Sequence, residues 1–298
     1  MTAVLGLGTY KVRDVKLAAR TALAGGTPWI DTAPNYAAGE AHRALAPLLS
    51  EYPGVRVVTK TGFYTADQAR AAMADGALTL PESSAGHSLE PGFVRWQTER
   101  SLAGLGRADF VLVHNPERAG AHRPQVHTAL RGAFTVLEEF VQLGRITGYG
   151  VATWSGFRNS VFTVPELLRL AQEAAGSHEC HFAGLQQPVS LVMAGPIAQA
   201  LGSAPSTLLQ AREAGITTFG SAPLHGGELP GLVTPELIDF VRPGLTAATA
   251  ALLVAASCPG LDVVLLSASG AAHWQDARQA ITVPLEPDKL RSVIRAVT

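Results

Sequence analysis

Short apolar runs alternate with longer stretches of helical apolar spacing along the whole chain. Residues 4–10, Val-Leu-Gly-Leu-Gly-Thr-Tyr, read as a strand, and residues 15–24 read as a helix stopped by Gly25-Gly26. Trp29-Ile30-Asp31 is the next strand and opens into Thr32-Ala33-Pro34-Asn35-Tyr36. A helix over about 39–49 follows, then the β-branched strand 55–60. Residues 61–90 have weak periodicity and many Gly, Pro and Ser, which predicts an inserted loop on the ligand-binding side. Beyond it the spacing predicts helices at about 91–105, 125–143, 164–175, 197–214, 245–256 and 271–280, between strands at 108–113, 146–151, 182–186, 216–220 and 262–266. A last helix covers 288–296. Eight strand-then-helix units with no break in composition predict one closed (β/α)8 TIM barrel spanning residues 1–298, a fold of roughly 250 residues before additions.

Composition narrows the function. The chain is 47% hydrophobic and 16% charged with a formal charge of −1, and it has no run of eighteen apolar residues. That favours an enzyme that binds neither nucleic acid nor membrane. Two cysteines and no basic-then-apolar N-terminal segment make a reducing cytoplasm the expected compartment. The cluster His178, Cys180 and His181 lacks the paired spacing of a zinc site, so no metal is expected. Gly6 and Gly8 lack the third glycine of a dinucleotide fingerprint and are better read as a tight strand bend near a ligand.

Three strands end in residues that carry chemistry. Asp31 and Tyr36 follow the second strand, Lys60 ends the third, and His114 ends the fourth, while a barrel directs all those ends into one mouth. Each has a plainer account: Asp31 as a helix cap, Tyr36 as an ordinary loop residue, Lys60 snorkelling at the rim, His114 as a satisfied core histidine. Together they suggest proton transfer through a phenol. Lys60 beside Tyr36 would lower the phenol's pKa, Asp31 would hold Lys60, and His114 would orient a carbonyl.

Gly6-Leu7-Gly8-Thr9, Asp31-Thr32-Ala33 with Tyr36 and Gly39-Glu40, Thr59-Lys60 and His114-Asn115-Pro116 resemble the successive signatures of the aldo-keto reductases, over nearly the whole chain and more weakly after residue 190. The resemblance implies a nicotinamide-dependent oxidoreductase on a (β/α)8 barrel, with Tyr36 as general acid. It implies NADPH as cofactor, NADH being possible, and a small-molecule carbonyl substrate, while the departures described next weaken cofactor binding and leave an opening for a carrier-tethered substrate. Cofactor contacts then fall to Gly8, Thr9, Asp31, Thr153, Trp154, Gln186, Ser221, Pro223, Leu224, Ser267 and His273.

Some positions depart from that pattern. Ser221 stands where an aromatic ring commonly stacks on the nicotinamide. His273 and Ala277 stand where an arginine and an asparagine hold the adenosine phosphate, which weakens discrimination for a 2′-phosphate. The family's N-terminal hairpin and long C-terminal tail are expected to be missing, leaving an open site covered by residues 61–90 or 221–234. The weakened cofactor end keeps a second function open, a non-redox dehydratase, cyclase or isomerase on the same barrel. A third is a binding subunit that has lost catalysis.

Overall fold

The computed structural model describes residues 3–297. Its strands are β1 (Val4–Gly8), β2 (Trp29–Asp31), β3 (Arg56–Thr61), β4 (Phe110–His114), β5 (Gly148–Ala152), β6 (Phe182–Pro188), β7 (Thr217–Ser221) and β8 (Val263–Leu266). All pair in parallel with their sequence neighbours, and β1 pairs with β8 to close a (β/α)8 barrel. The helices are α1 (Val15–Ala24), α2 (Ala41–Glu51), α3 (Ala66–Ala74), α4 (Leu80–Ser83), α5 (Pro91–Leu105), α6 (Arg123–Gln142), α7 (Val164–Ala175), α8 (Gly195–Leu201), α9 (Thr207–Glu213), α10 (Pro235–Val241), α11 (Ala247–Ala256), α12 (Ala271–Ala280) and α13 (Pro287–Val297). Their ends follow local chemistry. Thr163 and Glu166 form a capping box at the start of α7, and Gly176 ends it in a left-handed turn.

Strand alternation sorts the side chains into two cores. Ile30, Val57, Val111, Val151 and Leu185 face outward into the packing against the helices. Trp29, Val58, Phe110, Leu112, Phe219, Val263 and Leu265 face inward and fill the lower barrel. Trp29 meets Phe219 edge-on at 5.1 Å and Phe110 at 5.5 Å, and the Arg56 guanidinium covers the Trp29 ring at 4.1 Å. Such large side chains fit because β5 and β6 approach closely at glycine. A Cβ on Gly150 would fall 1.7 Å from the Gly184 carbonyl oxygen. The same alternation then puts Asp31, Lys60, His114, Gln186 and Ser221 in the inward series, one step above that plug.

Two expectations change. Residues 61–90 are not a loop but a small helical unit. Thr65 and Gln68 cap α3 reciprocally, α4 follows, Phe63 bridges to His87, and Tyr64, Ala72, Leu78 and Phe93 form a local core. The helix expected over 197–214 is two, α8 and α9. Gly202 turns extended, Pro205 cannot continue the ladder, and Ser206 caps the second helix through Leu209 N–H at 3.4 Å. No helix of the described residues is long and apolar enough to cross a membrane.

Candidate active site

Above the hydrophobic plug lies a buried polar layer. The Lys60 ammonium donates to both Asp31 carboxylate oxygens, at 2.6 and 2.7 Å, and to the Thr32 carbonyl at 2.9 Å. Gln186 Nε2 donates to Asp31 Oδ1 at 2.8 Å. Thr9 fixes the strand end, its hydroxyl donating to the Asp31 carbonyl at 3.0 Å and its N–H at 2.9 Å. Lys60 is wholly shielded from solvent, so its burial pulls the ammonium's pKa below the ordinary value while Asp31 opposes that shift.

Tyr36 enters from a turn that spends backbone strain. Ala37 and Ala38 have φ of 49° and 53°, and Gly39 has 96°. Of the seven non-glycine residues with left-handed φ among those described, Lys11, Asn115, Ala222 and His225 line the cavity, and Ala37 and Ala38 directly follow Tyr36. Only Ser160 lies elsewhere. Strain concentrated this way is typical of ligand sites, where the fold holds a backbone in an unfavourable well.

The relation between Lys60 and Tyr36 differs from the sequence expectation. The ammonium lies 5.0 Å from the Tyr36 ring centroid and is committed to Asp31 and Thr32. Burial, then the Asp31 carboxylate, then Tyr10 push the Tyr36 phenol well above its ordinary pKa, so the expected lowering by Lys60 is replaced by a rise. Tyr36 therefore carries its proton at neutral pH. His114 is held neutral by burial, with Lys60 and His87 adding to the effect, and its Nδ1 is buried without a partner. The His114 ring lies 6.1 Å from that of Tyr36 and 4.8 Å from Phe63.

These residues surround a cavity of about 600 Å³ at the C-terminal mouth of the barrel. Gly8, Asp31, Tyr36, His114, Thr153, Trp154, Gln186, Ser221, Pro223, Leu224 and Ser267 all line it. Lys60 and Thr9 are buried behind its wall, while His273 is exposed on the first turn of α12 and outside the lining. Ser267 donates to the Gly8 carbonyl at 2.8 Å, tying β8 to β1 at the rim. Of the two covers expected, the segment after β7 contributes residues 222–228, whereas the 61–90 unit contributes Phe63.

Several participants escape the sequence reading. Glu117 accepts from the Thr153 hydroxyl at 2.8 Å, Trp154 N–H at 3.0 Å and Ser155 N–H at 2.8 Å, fixing the loop after β5. Its place three residues after His114 is the only signal for it. Lys11 stands beside Gly226, where an added Cβ would come within 3.2 Å of its ammonium. It is one of only four lysines in the chain, a scarcity that could have marked it in the sequence. Tyr10, 55% exposed, packs on Tyr36 at 5.2 Å, and Trp154, 44% exposed, lies 6.3 Å from the His225 ring. Asn35 Oδ1 and His225 Nδ1 are buried without partners in the same lining. Among the described residues no group of His, Cys, Asp and Glu is placed to hold a metal ion.

The same architecture recurs in solved structures. The chain superposes on aldo-keto reductase AKR11C1 from Bacillus halodurans in its holo form with a TM-score of 0.71 at 16% identity, covering 100% of this chain and 92% of that one. For the glycerol dehydrogenase AKR11B4 from Gluconobacter oxydans the TM-score is 0.72 at 17% identity, with 98% and 91% covered. For an aldo/keto reductase from Klebsiella pneumoniae in complex with NADP and acetate it is 0.65 at 20%, with 99% and 91% covered. At such identities the likeness speaks for the fold. A search of curated proteins finds no match. The sequence itself settles the lineage: residues 3–161, more than half of the chain and the part that supplies Asp31, Tyr36, Lys60 and His114, match the family model for the Aldo/keto reductase family, and the chain belongs to that family.

Proposed function

We propose that this protein reduces a carbonyl compound to an alcohol, or runs the reverse reaction, with a nicotinamide nucleotide. The observation that carries this reading is a proton-bearing Tyr36 phenol beside a neutral His114 imidazole, both facing one cavity. His114 orients the carbonyl oxygen by hydrogen bonding. Tyr36 then donates its proton to that oxygen as negative charge develops there. The Asp31–Lys60 pair fixes the floor beneath Tyr36, and Gln186 joins that floor to the β6 side.

The residues present fit a nicotinamide nucleotide at one end of the cavity better than at the other. Gln186, Thr153, Trp154 and Ser221 line the end beside Tyr36, while the left-handed glycines 226 and 227 and the Lys11 ammonium offer a cradle for a diphosphate. Bound there, the nicotinamide supplies or accepts hydride. NADP and NADPH occur in the Klebsiella pneumoniae complexes, which supports a nicotinamide here. His273 lies outside the cavity lining, so the α12 turn adds no cation to it and the preference between NADPH and NADH stays shallow. That same gap motivates the second reading, acid–base chemistry without hydride.

Consumption of reduced nicotinamide, followed by its absorbance against a panel of aldehydes and ketones, tests the first reading. Tyr36→Phe is expected to slow turnover by about 10²–10⁴-fold. Turnover unaffected by that change would sink the assigned role. Calorimetric titration with both nucleotides separates the two readings, because the non-redox enzyme predicts no binding of either.

A further inference from the structure

The rim next to His114 carries a charge that no neighbour neutralises. Arg118 ends the 3-10 turn Pro116–Arg118 and is exposed just outside the cavity lining, and its guanidinium makes no ion pair or hydrogen bond among the described residues. Its guanidinium carbon lies 5.5 Å from the Phe63 ring centroid, and Phe63 lines the cavity with its ring 4.8 Å from that of His114. The charge is thus held one ring away from the imidazole assigned to orient the carbonyl. A cation resting on an aromatic face gives up less freedom on meeting an anion than a free side chain does.

The acid nearest in sequence does not quench it. Glu117 makes no ion pair with it and is committed to the Thr153 hydroxyl and the Trp154 and Ser155 amides. His87, its ring 4.8 Å from that of Phe63 and its Nε2 2.8 Å from the His114 carbonyl oxygen, has its pKa lowered chiefly by burial and carries no negative charge. Asn35 and Asn115, which complete this side of the lining, are uncharged amides. Of the acids in the lining, Asp31 is paired with Lys60, and Glu228 belongs to the segment after β7.

We infer that the protein selects carbonyl substrates bearing a carboxylate a few bonds from the carbonyl carbon, the carboxylate pairing with Arg118 while the carbonyl faces Tyr36 and His114. This rests on the carbonyl-reductase reading for the reaction, and on Phe63 and Arg118 alone for the selectivity. The planar guanidinium offers two parallel donors that match a carboxylate, which a neutral chain of the same length cannot use.

The test compares kcat/KM for succinic semialdehyde and butanal, which differ in the terminal carboxylate, in the wild type, Arg118→Gln and Arg118→Lys. The wild type is expected to favour the semialdehyde at least about tenfold, and Arg118→Gln to shrink that ratio about 10- to 100-fold, mainly through KM, with Arg118→Lys between them. A wild-type ratio near one, or a ratio unmoved by Arg118→Gln, overturns the inference. Succinate binding by calorimetry reads the same site without turnover, with the Kd expected to weaken by a similar factor in Arg118→Gln and equal Kd values overturning it. If neither aldehyde is reduced but succinate binds through Arg118, the reductase reading fails and the carboxylate site stands. If butanal is reduced and the ratio ignores Arg118, the outcome is the reverse.

Discussion

Replacing both members of the Asp31–Lys60 pair should cost the barrel far less than the two single replacements added together. The two groups are 4% and 1% exposed, and the ammonium's partners are Asp31 Oδ1, Asp31 Oδ2 and the Thr32 carbonyl. In Asp31→Asn the ammonium keeps its charge but meets an amide with one acceptor and one donor group. In Lys60→Met the carboxylate keeps Gln186 Nε2 and loses every cationic partner. Each single change therefore leaves an uncompensated buried charge, which costs about 3–5 kcal/mol. The double variant carries no charge at that level, so its loss should fall below the sum of the singles by several kcal/mol. Urea denaturation of the four proteins, with midpoints compared at constant m-value, measures the coupling. Additivity within about 0.5 kcal/mol would refute the reasoning, since it would mean that the two groups do not sense each other.

Two other outcomes follow from groups around the site. His42 is buried, its Nε2 3.0 Å from the Thr59 hydroxyl, and burial and then Lys60 lower its pKa from 6.5 to about 4. Between those values the unfolded chain binds the extra proton, so stability rises with pH across that window and is lost on acidification by about 3 kcal/mol from this residue; His42→Gln should flatten that part of a stability–pH curve, and an unchanged curve would contradict the assignment. Glu117→Gln turns one of the two acceptor oxygens into a donor, so either the Thr153 hydroxyl, which already accepts from Gly156 N–H at 2.8 Å, or the Trp154 and Ser155 amides lose their acceptor. Nucleotide affinity is expected to weaken about 10-fold, with Glu117→Gln and Thr153→Val together costing little more than either alone; additive losses would show that Glu117 does not act through Thr153.

The inner face of the barrel was readable because alternation is strict: a residue two positions from a buried Trp29 or Val58 shares its face, which places Asp31 and Lys60 without further information. Tyr36 and His114 are readable for a related reason, since strand ends in a parallel barrel share one mouth. What the spacing does not contain is the choice of partner. Lys60 is equally close in sequence logic to a phenol and to a carboxylate, and only the packed barrel shows that Asp31 and the Thr32 carbonyl take all of the ammonium's hydrogen bonds among the described residues. Loops are harder still. Thr65 and Gln68 carried a capping signature inside residues 61–90, but the density of Gly, Pro and Ser outweighed it. Pro205 likewise announced a break that apolar spacing over 197–214 concealed. His273 shows the limit of counting from a strand end, because a shift of one or two residues on a helix turn decides whether a side chain faces the cavity or solvent.

The commitment of Lys60 to Asp31 bears on the direction of catalysis. With the ammonium so engaged and the Asp31 carboxylate adding to burial, the phenol of Tyr36 lies well above its ordinary pKa, and its proton is present throughout the neutral range. Carbonyl reduction consumes that proton, so its rate constant should be flat with pH until well into the alkaline range. Alcohol oxidation needs the phenolate as base, and the fraction of phenolate grows about tenfold per pH unit below the pKa. The ratio of oxidation to reduction should therefore climb with pH at that slope, read from the two kcat/KM profiles over the same buffers. A plateau in the oxidation limb near neutrality would show that Tyr36 titrates low, and with it that Lys60 turns to the phenol when substrate and nucleotide are bound. The carbonyl-reductase reading proposed above expects no such plateau, because an ammonium committed to Asp31 and the Thr32 carbonyl leaves the phenol its proton.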